Sequence, residues 1–437
     1  MQNLKIHPGG AIKGELNVPG DKSISHRAVM LGSLADGVSR ISGFLTGEDS
    51  VNTARAFAAM GVRIDGLGGS ELTVHGVGMD GLKALDKELD LGNSGTSMRL
   101  LAGILAGQRF GSVLTGDEYL KKRPMARVVT PLGMMGAKLS GVGERQFPPI
   151  TILPAPEGGL TGIDYISPIA SAQVKSAMLL AGLGAKGVTS VTEPVKSRDH
   201  TERMLTRMGI LLKLDGLKVS LAGGQRLRPL DFTVPGDLSS AAFFMAAAAI
   251  TPGSRLTIKD VGINPTRTGI IDVLRLMNAA ISVDDPREDG PEPVADIVVE
   301  HSELRGIEIG GELLVRAIDE FPILCIVAAA AKGTTVIKDA AELRVKESDR
   351  IHAMAVELDK LGVSAKETPD GIIIEGGRPF RAGIFDSHGD HRVAMAMAVA
   401  GLVAEEGPDA LATVINDTDC INTSFPGFEE LLEGVRE

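Results

Sequence analysis

The sequence contains no tryptophan, two tyrosines and two cysteines among 437 residues, and aromatic side chains make up 3% of it. Proteins that grip single-stranded nucleic acid stack the bases on aromatic faces, so this scarcity argues against that class of partner. Positive charge is also in deficit: 45 Lys and Arg against 56 Asp and Glu leave a net charge of −11. An acidic surface repels the phosphates of duplexes and of anionic lipids. The two cysteines, Cys325 and Cys420, give neither a disulfide framework nor a metal-ligand spacing. Cys325 lies in "FPILCIVAAAA", where a small buried hydrophobe is expected. Long hydrophobic runs are missing as well. The longest apolar stretch, residues 241–250, is ten residues, against the ~20 that a membrane-spanning helix needs. The opening "MQNLKIHPGG" shows no apolar signal-peptide core and no cleavage signature. A cytoplasmic protein that binds neither nucleic acid nor membrane and holds no metal is the expectation.

What remains is ordinary for a globular chain: 43% hydrophobic and 23% charged residues. Length alone predicts about three domains of ~150 residues. The internal pattern is more informative. Six Ala/Met/Leu-rich segments begin near Ser23, Ser94, Ser171, Leu238, Asp319 and Asp390, at spacings of 71, 77, 67, 81 and 71 residues. That period is too long for a solenoid repeat and suits a small α/β unit. The first five segments run into a Gly and then a short β-type stretch, and the sixth reaches "LATVIND" after an insertion. In five units an amphipathic helix follows, for example "SVNTARAFAAMGV" and "HTERMLTRMGI". Alternating strands such as "ELTVHGV" and "GIIIEGG" come after it.

The leading helices are apolar nearly all round, so they belong inside, with strands outside. The fold class is α/β, in two lobes of three repeated units each. The expected boundaries are 21–235 for the first lobe and 236–437, with 1–20 packed onto it, for the second. A phrase occurs twice where the lobes would exchange: "VPGDKSISHR" (18–27) and "VPGDLSSAAF" (234–243). Pro-Gly is expected to turn the chain and Asp or Ser to start a helix. Lys22 and Arg27 occur only in the first copy, so the fold does not require them.

Charge gathers at the helix starts. Lys22 and Ser23 open the first helix, with Arg27 one turn on, and the free N–H groups there favour an anion. "LGNSGTSMRL" places Gly95 between hydroxyls at the second. "LKKRPMAR" carries Arg123 just before Pro124, and "SAQVKS" opens the third helix with Ser171, Ala172 and Gln173. In "ELRVKESDR", Lys346 and Arg350 form a like-charge i,i+4 pair, costly in a helix unless an anion or Glu347 intervenes. Asp319 stands beside Glu320 at the fifth helix, as a candidate carboxylate or a simple cap, and Arg392 opens the sixth. The fourth start carries no cation. Such a set points to a small, multiply anionic ligand between the lobes. "GVGMDG" (76–81) matches a dinucleotide-binding glycine pattern, but only nine residues follow before a turn, so it reads as a loop.

"PGDKSISHR", "LGNSGTSMRL", "KKRPM", "SAQVKSA", "SRDHTE", "NPTRTG", "RVKESDR", "GDHRVAMA" and "TSFPGF" together resemble the 5-enolpyruvylshikimate-3-phosphate synthase family, from about Lys13 to Phe428. The resemblance implies two lobes of three repeats joined by two crossings, acting as a monomer without cofactor. It implies transfer of the enolpyruvyl group of phosphoenolpyruvate to the 5-hydroxyl of shikimate 3-phosphate. It assigns Lys22, Ser23, Arg27, Ser171, Ala172, Gln173, Asp319 and Lys346 to shikimate 3-phosphate. Lys22, Gly95, Arg123, Gln173, Arg350 and Arg392 go to phosphoenolpyruvate, and Asp319, Glu347 and Lys22 to proton transfer. Thr423 and Glu342 stand where many members have Lys and Asn. Both departures, with "SRDHTE" and "NPTR", match a divergent class that often tolerates the inhibitor glyphosate, whereas some of that class have Ala where Gly95 stands here. The related transferase acting on UDP-N-acetylglucosamine often has a catalytic Cys within the loop 115–123, which has none here. A sliding-clamp-like ring would need basic helix faces, and these helices are apolar.

Overall fold

The computed structural model describes all residues except Met1, Asp289 and residues 406–411. The backbone divides into two compact units, Gly20–Val234, and Met1–Pro19 with Pro235–Glu437. There are two bodies rather than the three that length alone predicts, because three repeats pool their leading helices into a single core in each unit.

The leading helices are α1 (Lys22–Leu34), α2 (Gly95–Ala106), α3 (Ala172–Leu183), α4 (Leu238–Ile250), α5 (Phe321–Ala330) and α6 (His391–Gly401). Every residue of α4 and α6 is buried, as expected of helices with no polar face. In the first unit α1–α3 bring Val29, Leu101 and Leu180 into one core; in the second α4–α6 contribute Phe244, Ile326 and Met397. The amphipathic helices follow at Glu48–Ala59, Ala126–Met134, His200–Arg207, Gly269–Leu276 and Arg350–Lys360. Residues 76–81 form no helix and are loop, as the short segment after them suggested.

Each of the first five leading helices is followed by an inner strand of a four-stranded sheet. In the first repeat Val38–Ser42 pairs antiparallel with Leu72–His75, and that strand with Arg63–Asp65. Inward residues alternate with outward ones: Leu72 and Val74 are buried, Thr73 and His75 are not. The other edge is closed by a strand from the far end of the unit, Phe232–Thr233, parallel to Val38–Ser42. In the second unit the equivalent edge is Lys13–Asn17, parallel to Arg255–Gly262. The sixth repeat has a three-stranded sheet of Leu4–Ile6, Thr413–Asn416 and Ile384–Asp386; the insertion before it lies largely outside the described residues.

The strand before each VPGD phrase thus remains with one unit, and the helix after it begins the other. The glycine has a different job from the one expected. Neither Gly20 nor Gly236 has a positive φ. A Cβ on Gly20 would lie 1.9 Å from the Gly43 carbonyl oxygen, and one on Gly236 would lie 2.9 Å from Val18 Cγ2. Close approach, rather than a turn, demands glycine here. The helix starts come from Asp21, accepting from the Ile24 amide at 2.9 Å, and Asp237, accepting from Ser239 at 2.8 Å.

Candidate active site

Because Asp21 performs the capping of α1, Lys22 is left to project from the mouth of the helix. Its Nζ donates to Asp49 Oδ2 at 3.2 Å. Arg27, one turn in, is 4% exposed and fully engaged. It donates to the Ser23 carbonyl at 2.9 Å, to Thr201 Oγ1 at 2.7 Å and to Ser176 Oγ at 2.8 Å. His26 lies beneath, its Nδ1 2.7 Å from Thr53 Oγ1. Burial, then the charges of Lys22 and Arg27, push its pKa well below that of a free imidazole. His26 is therefore neutral in the folded protein.

At α2, Ser94 caps the Ser97 amide at 3.2 Å and Gly95 is the first helical residue. Arg99, one turn in, donates to Gln173 Oε1 at 2.7 Å, and Gln173 Nε2 donates to Thr96 Oγ1 at 3.0 Å. These two bonds fix which way the Gln173 amide faces. Arg123 is buried and donates to Asn93 Oδ1. A Cβ on Gly95 would meet Arg99 Nη1 at 2.9 Å and Arg123 Nη1 at 3.0 Å. At α3, Ser171 is the cap and Ala172 the first helical residue. The Ser171 amide donates to Glu193 Oε1 at 3.0 Å. Lys175, one turn in, sits 2.7 Å from Glu193 and 2.8 Å from Glu202, all three buried. Burial raises the Glu202 pKa against the pull of Lys175. Lys22, Ser23, Arg27, Gly95, Arg123, Ser171, Ala172 and Gln173 thus all belong to helix mouths or adjoining loops of the first unit.

The second unit holds Asp319, Lys346, Glu347, Arg350 and Arg392. Asp319 is in a short 3₁₀ turn, Ile318–Glu320, leading into α5, so it is not the helix cap. It lies 3.7 Å from Lys346 Nζ and 3.6 Å from Arg350 Nη1. Glu347 is 2.8 Å from Arg350 Nη2, so both candidate acid/base carboxylates meet one guanidinium. Arg350 is held from behind by Asp390 at 2.8 Å. Burial works to lower the Arg350 pKa, but Asp390 and Glu347 overcome it and raise the value above the usual one. The expected i,i+4 helical pair of Lys346 and Arg350 does not form. Residues 341–345 are a 3₁₀ turn and the α-helix starts at Arg350, leaving Lys346 in the intervening bend beside Glu342 at 3.6 Å. Arg392 Nη1 lies 4.0 Å from Glu320 Oε1. Thr423 turns its hydroxyl onto the Cys420 carbonyl at 2.7 Å. Among the described residues no His, Cys, Asp and Glu cluster could hold a metal ion, and no helix is long and apolar enough to cross a membrane.

Two kinds of chemistry follow from these sets. The first unit gathers Lys22, Arg27, Arg99 and Arg123 with hydroxyl and amide donors, a composition made for anions. The second places carboxylates against Lys346 and Arg350, where acid/base work can proceed beside a cationic site. Sequence reasoning did not single out Asp49, Asn93, Arg99, Lys175, Glu193 or Arg267. Two of them had a readable signal: Arg99 and Lys175 stand four residues after Gly95 and Ser171, as Arg27 does after Ser23.

A family model described as EPSP synthase (3-phosphoshikimate 1-carboxyvinyltransferase) matches residues 6–432. Curated relatives named 3-phosphoshikimate 1-carboxyvinyltransferase include those of Geobacter sulfurreducens and Pelobacter propionicus. Each is 54% identical and aligns over 100% of this chain and 99% of its own length. A solved EPSP synthase from Acinetobacter baumannii superposes with a TM-score of 0.87 at 50% identity, covering 100% of this chain and 98% of that one.

Proposed function

The chain belongs to the EPSP synthase family, and from that premise we propose how its residues divide the reaction. It transfers the enolpyruvyl group of phosphoenolpyruvate to the 5-hydroxyl of shikimate 3-phosphate and releases phosphate. Shikimate 3-phosphate is held by Lys22, Ser23, Arg27, Ser171, Ala172, Gln173, Asp319 and Lys346. Phosphoenolpyruvate is held by Lys22, Gly95, Arg123, Gln173, Arg350 and Arg392. In the addition step the 5-hydroxyl oxygen attacks C2 while its proton leaves to a base and an acid protonates C3. In the elimination step the tetrahedral ketal loses phosphate and a C3 proton. Asp319 and Glu347 are the acid/base pair, with Lys22 assisting.

One observation carries the assignment of the pair: Asp319 and Glu347 share the Arg350 guanidinium, at 3.6 and 2.8 Å. A cation placed there stabilises each carboxylate when ionised and leaves it beside an anionic substrate site. Positioning and local charge are the two effects that lower the barrier of such a reaction. The proposal includes action as a single chain in the cytoplasm. Phosphate release is measured from phosphoenolpyruvate with either shikimate 3-phosphate or UDP-N-acetylglucosamine as acceptor. Release with the shikimate ester and retention with the sugar nucleotide is expected; the reverse pattern overturns the assignment. Asp319→Asn and Glu347→Gln should each lower kcat at least about a hundredfold, and a variant with unchanged kcat loses its place in the pair.

A further inference from the structure

The mouth of α4 carries no cation of its own sequence, yet the fold brings one there. Arg267, within "NPTRTG" (264–269), is 3% exposed. Its Nη2 donates to Asp237 Oδ1 at 3.2 Å and to Ser239 Oγ. Ser239 Oγ in turn donates to Glu320 Oε1. A guanidinium only donates and a carboxylate only accepts, so the hydroxyl relays between them. Glu320 is 1% exposed, lies 3.8 Å from Arg267 Nη2 and 4.0 Å from Arg392 Nη1, and precedes α5 directly after Asp319.

The motif is shaped for this. Asn264 Oδ1 accepts from the Thr266 amide at 2.9 Å and the Thr266 hydroxyl at 2.7 Å, closing a local turn. The Arg267 amide donates to the Asn264 carbonyl at 2.8 Å, and the Arg267 side chain is buried. A Cβ on Gly269 would lie 2.7 Å from the Arg316 carbonyl carbon and 2.9 Å from the Ala317 amide. Glycine therefore lets the motif press against the backbone that leads into Asp319.

We propose that Arg267 is a positioning residue for enolpyruvyl transfer: through Ser239 it holds Glu320 Oε1 at 4.0 Å from Arg392 Nη1, beyond hydrogen-bond reach, so that the Arg392 N–H groups stay available to phosphoenolpyruvate. This rests on the reading that Arg392 contacts that substrate. A carboxylate as buried as Glu320 requires a compensating cation. With Arg267 present, that need is met at the α4 mouth. Without it, Glu320 closes on Arg392 and competes with the substrate anion for the same guanidinium.

The test is steady-state kinetics on Arg267→Gln, Arg267→Lys, Ser239→Ala and Arg392→Lys, with both KM values measured. Arg267→Gln should raise the KM for phosphoenolpyruvate about tenfold, leave that for shikimate 3-phosphate essentially unchanged, and be largely rescued by Arg267→Lys. Adding Glu320→Gln to Arg267→Gln should restore the phosphoenolpyruvate KM, because a neutral amide no longer competes for Arg392. A merely structural arginine would lower the denaturation midpoint without that selective shift or that rescue, and this outcome overturns the proposal. Should Arg267→Gln fail to fold, Ser239→Ala decides, since it cuts the relay while keeping the cation; an unmoved phosphoenolpyruvate KM there overturns it equally. If Arg392→Lys leaves that KM unchanged, the Arg392 assignment itself falls and this inference with it. If Arg392→Lys raises it and Arg267→Gln does not, only the relay falls.

Discussion

Lys22 and Gly95 show how single residues were legible from their neighbours. Lys22 follows a cap, Asp21, that already satisfies the helix start, so the helix start does not need the lysine, which pairs with Asp49 instead. Lys22→Met should therefore lower kcat at least about a hundredfold, with a smaller loss in denaturation midpoint than Asp21→Ala, which forfeits about 1 kcal/mol of capping. If the midpoint falls further for Lys22→Met than for Asp21→Ala, the lysine is structural. At Gly95 the absent side chain matters because two guanidinium tips occupy the space a methyl would need, at 2.9 and 3.0 Å. Both belong to long, flexible side chains, so Gly95→Ala displaces them and leaves the helix intact. Expected are a raised KM for phosphoenolpyruvate and a weaker inhibition by glyphosate, at an unchanged melting temperature; an unaltered inhibition constant refutes the displacement.

At the scale of elements, the three helices of the first unit share a device that those of the second do not. Each carries a cation one turn inside its mouth, but the fates differ. Arg27 and Arg99 remain at the mouth, bound to neutral oxygens of Ser23, Thr201, Ser176 and Gln173. Lys175 is consumed by Glu193 and Glu202 and ties α3 to the segments holding those acids. Lys175→Met leaves both carboxylates buried without that cation and should cost about 3–5 kcal/mol of stability. Glu202→Gln removes a group whose burial already disfavours its charge, and should cost about 1 kcal/mol or less. Equal losses in denaturant titrations of the two variants would refute this division. The i+4 spacing was readable beforehand at all three helices; which cation faced a ligand and which faced buried acids was not.

For the whole molecule, acid sensitivity follows from His26. Its folded pKa lies well below the ~6.5 of an unfolded histidine. Below pH ~6.5 the unfolded chain takes up a proton that the folded chain refuses, so stability declines as pH falls through that value. Its Nε2 is buried with no hydrogen-bond partner among the described residues, so a second N–H there would be unsatisfied. His388 acts oppositely. The bond to Glu357 raises its pKa, giving stability present below pH ~6.5 and lost as pH rises through the folded value. Denaturant midpoints from pH 5 to pH 8 should fall on the acid side for the natural chain, and His26→Asn should flatten that limb. An identical acid slope in the variant would place the cause elsewhere.

The repeat period, the apolar helices and the alternating strands were set by the sequence, because burial on all sides of a helix leaves a continuous apolar run and burial of one strand face leaves an alternating one. Helix-mouth cations were legible for the same reason: a charge at a fixed offset from a cap has a predictable direction. Tertiary structure decided the rest. Arg267 reaches the α4 mouth from 30 residues beyond Asp237, and Asp319, Glu347 and Asp390 converge on one guanidinium. It also made Lys346 a bend residue rather than half of a helical pair. The pairings of Arg267 with Asp237 and of Arg350 with Asp319 and Asp390 are long-range; they have no period along the chain and form only when separate segments bury their charges together.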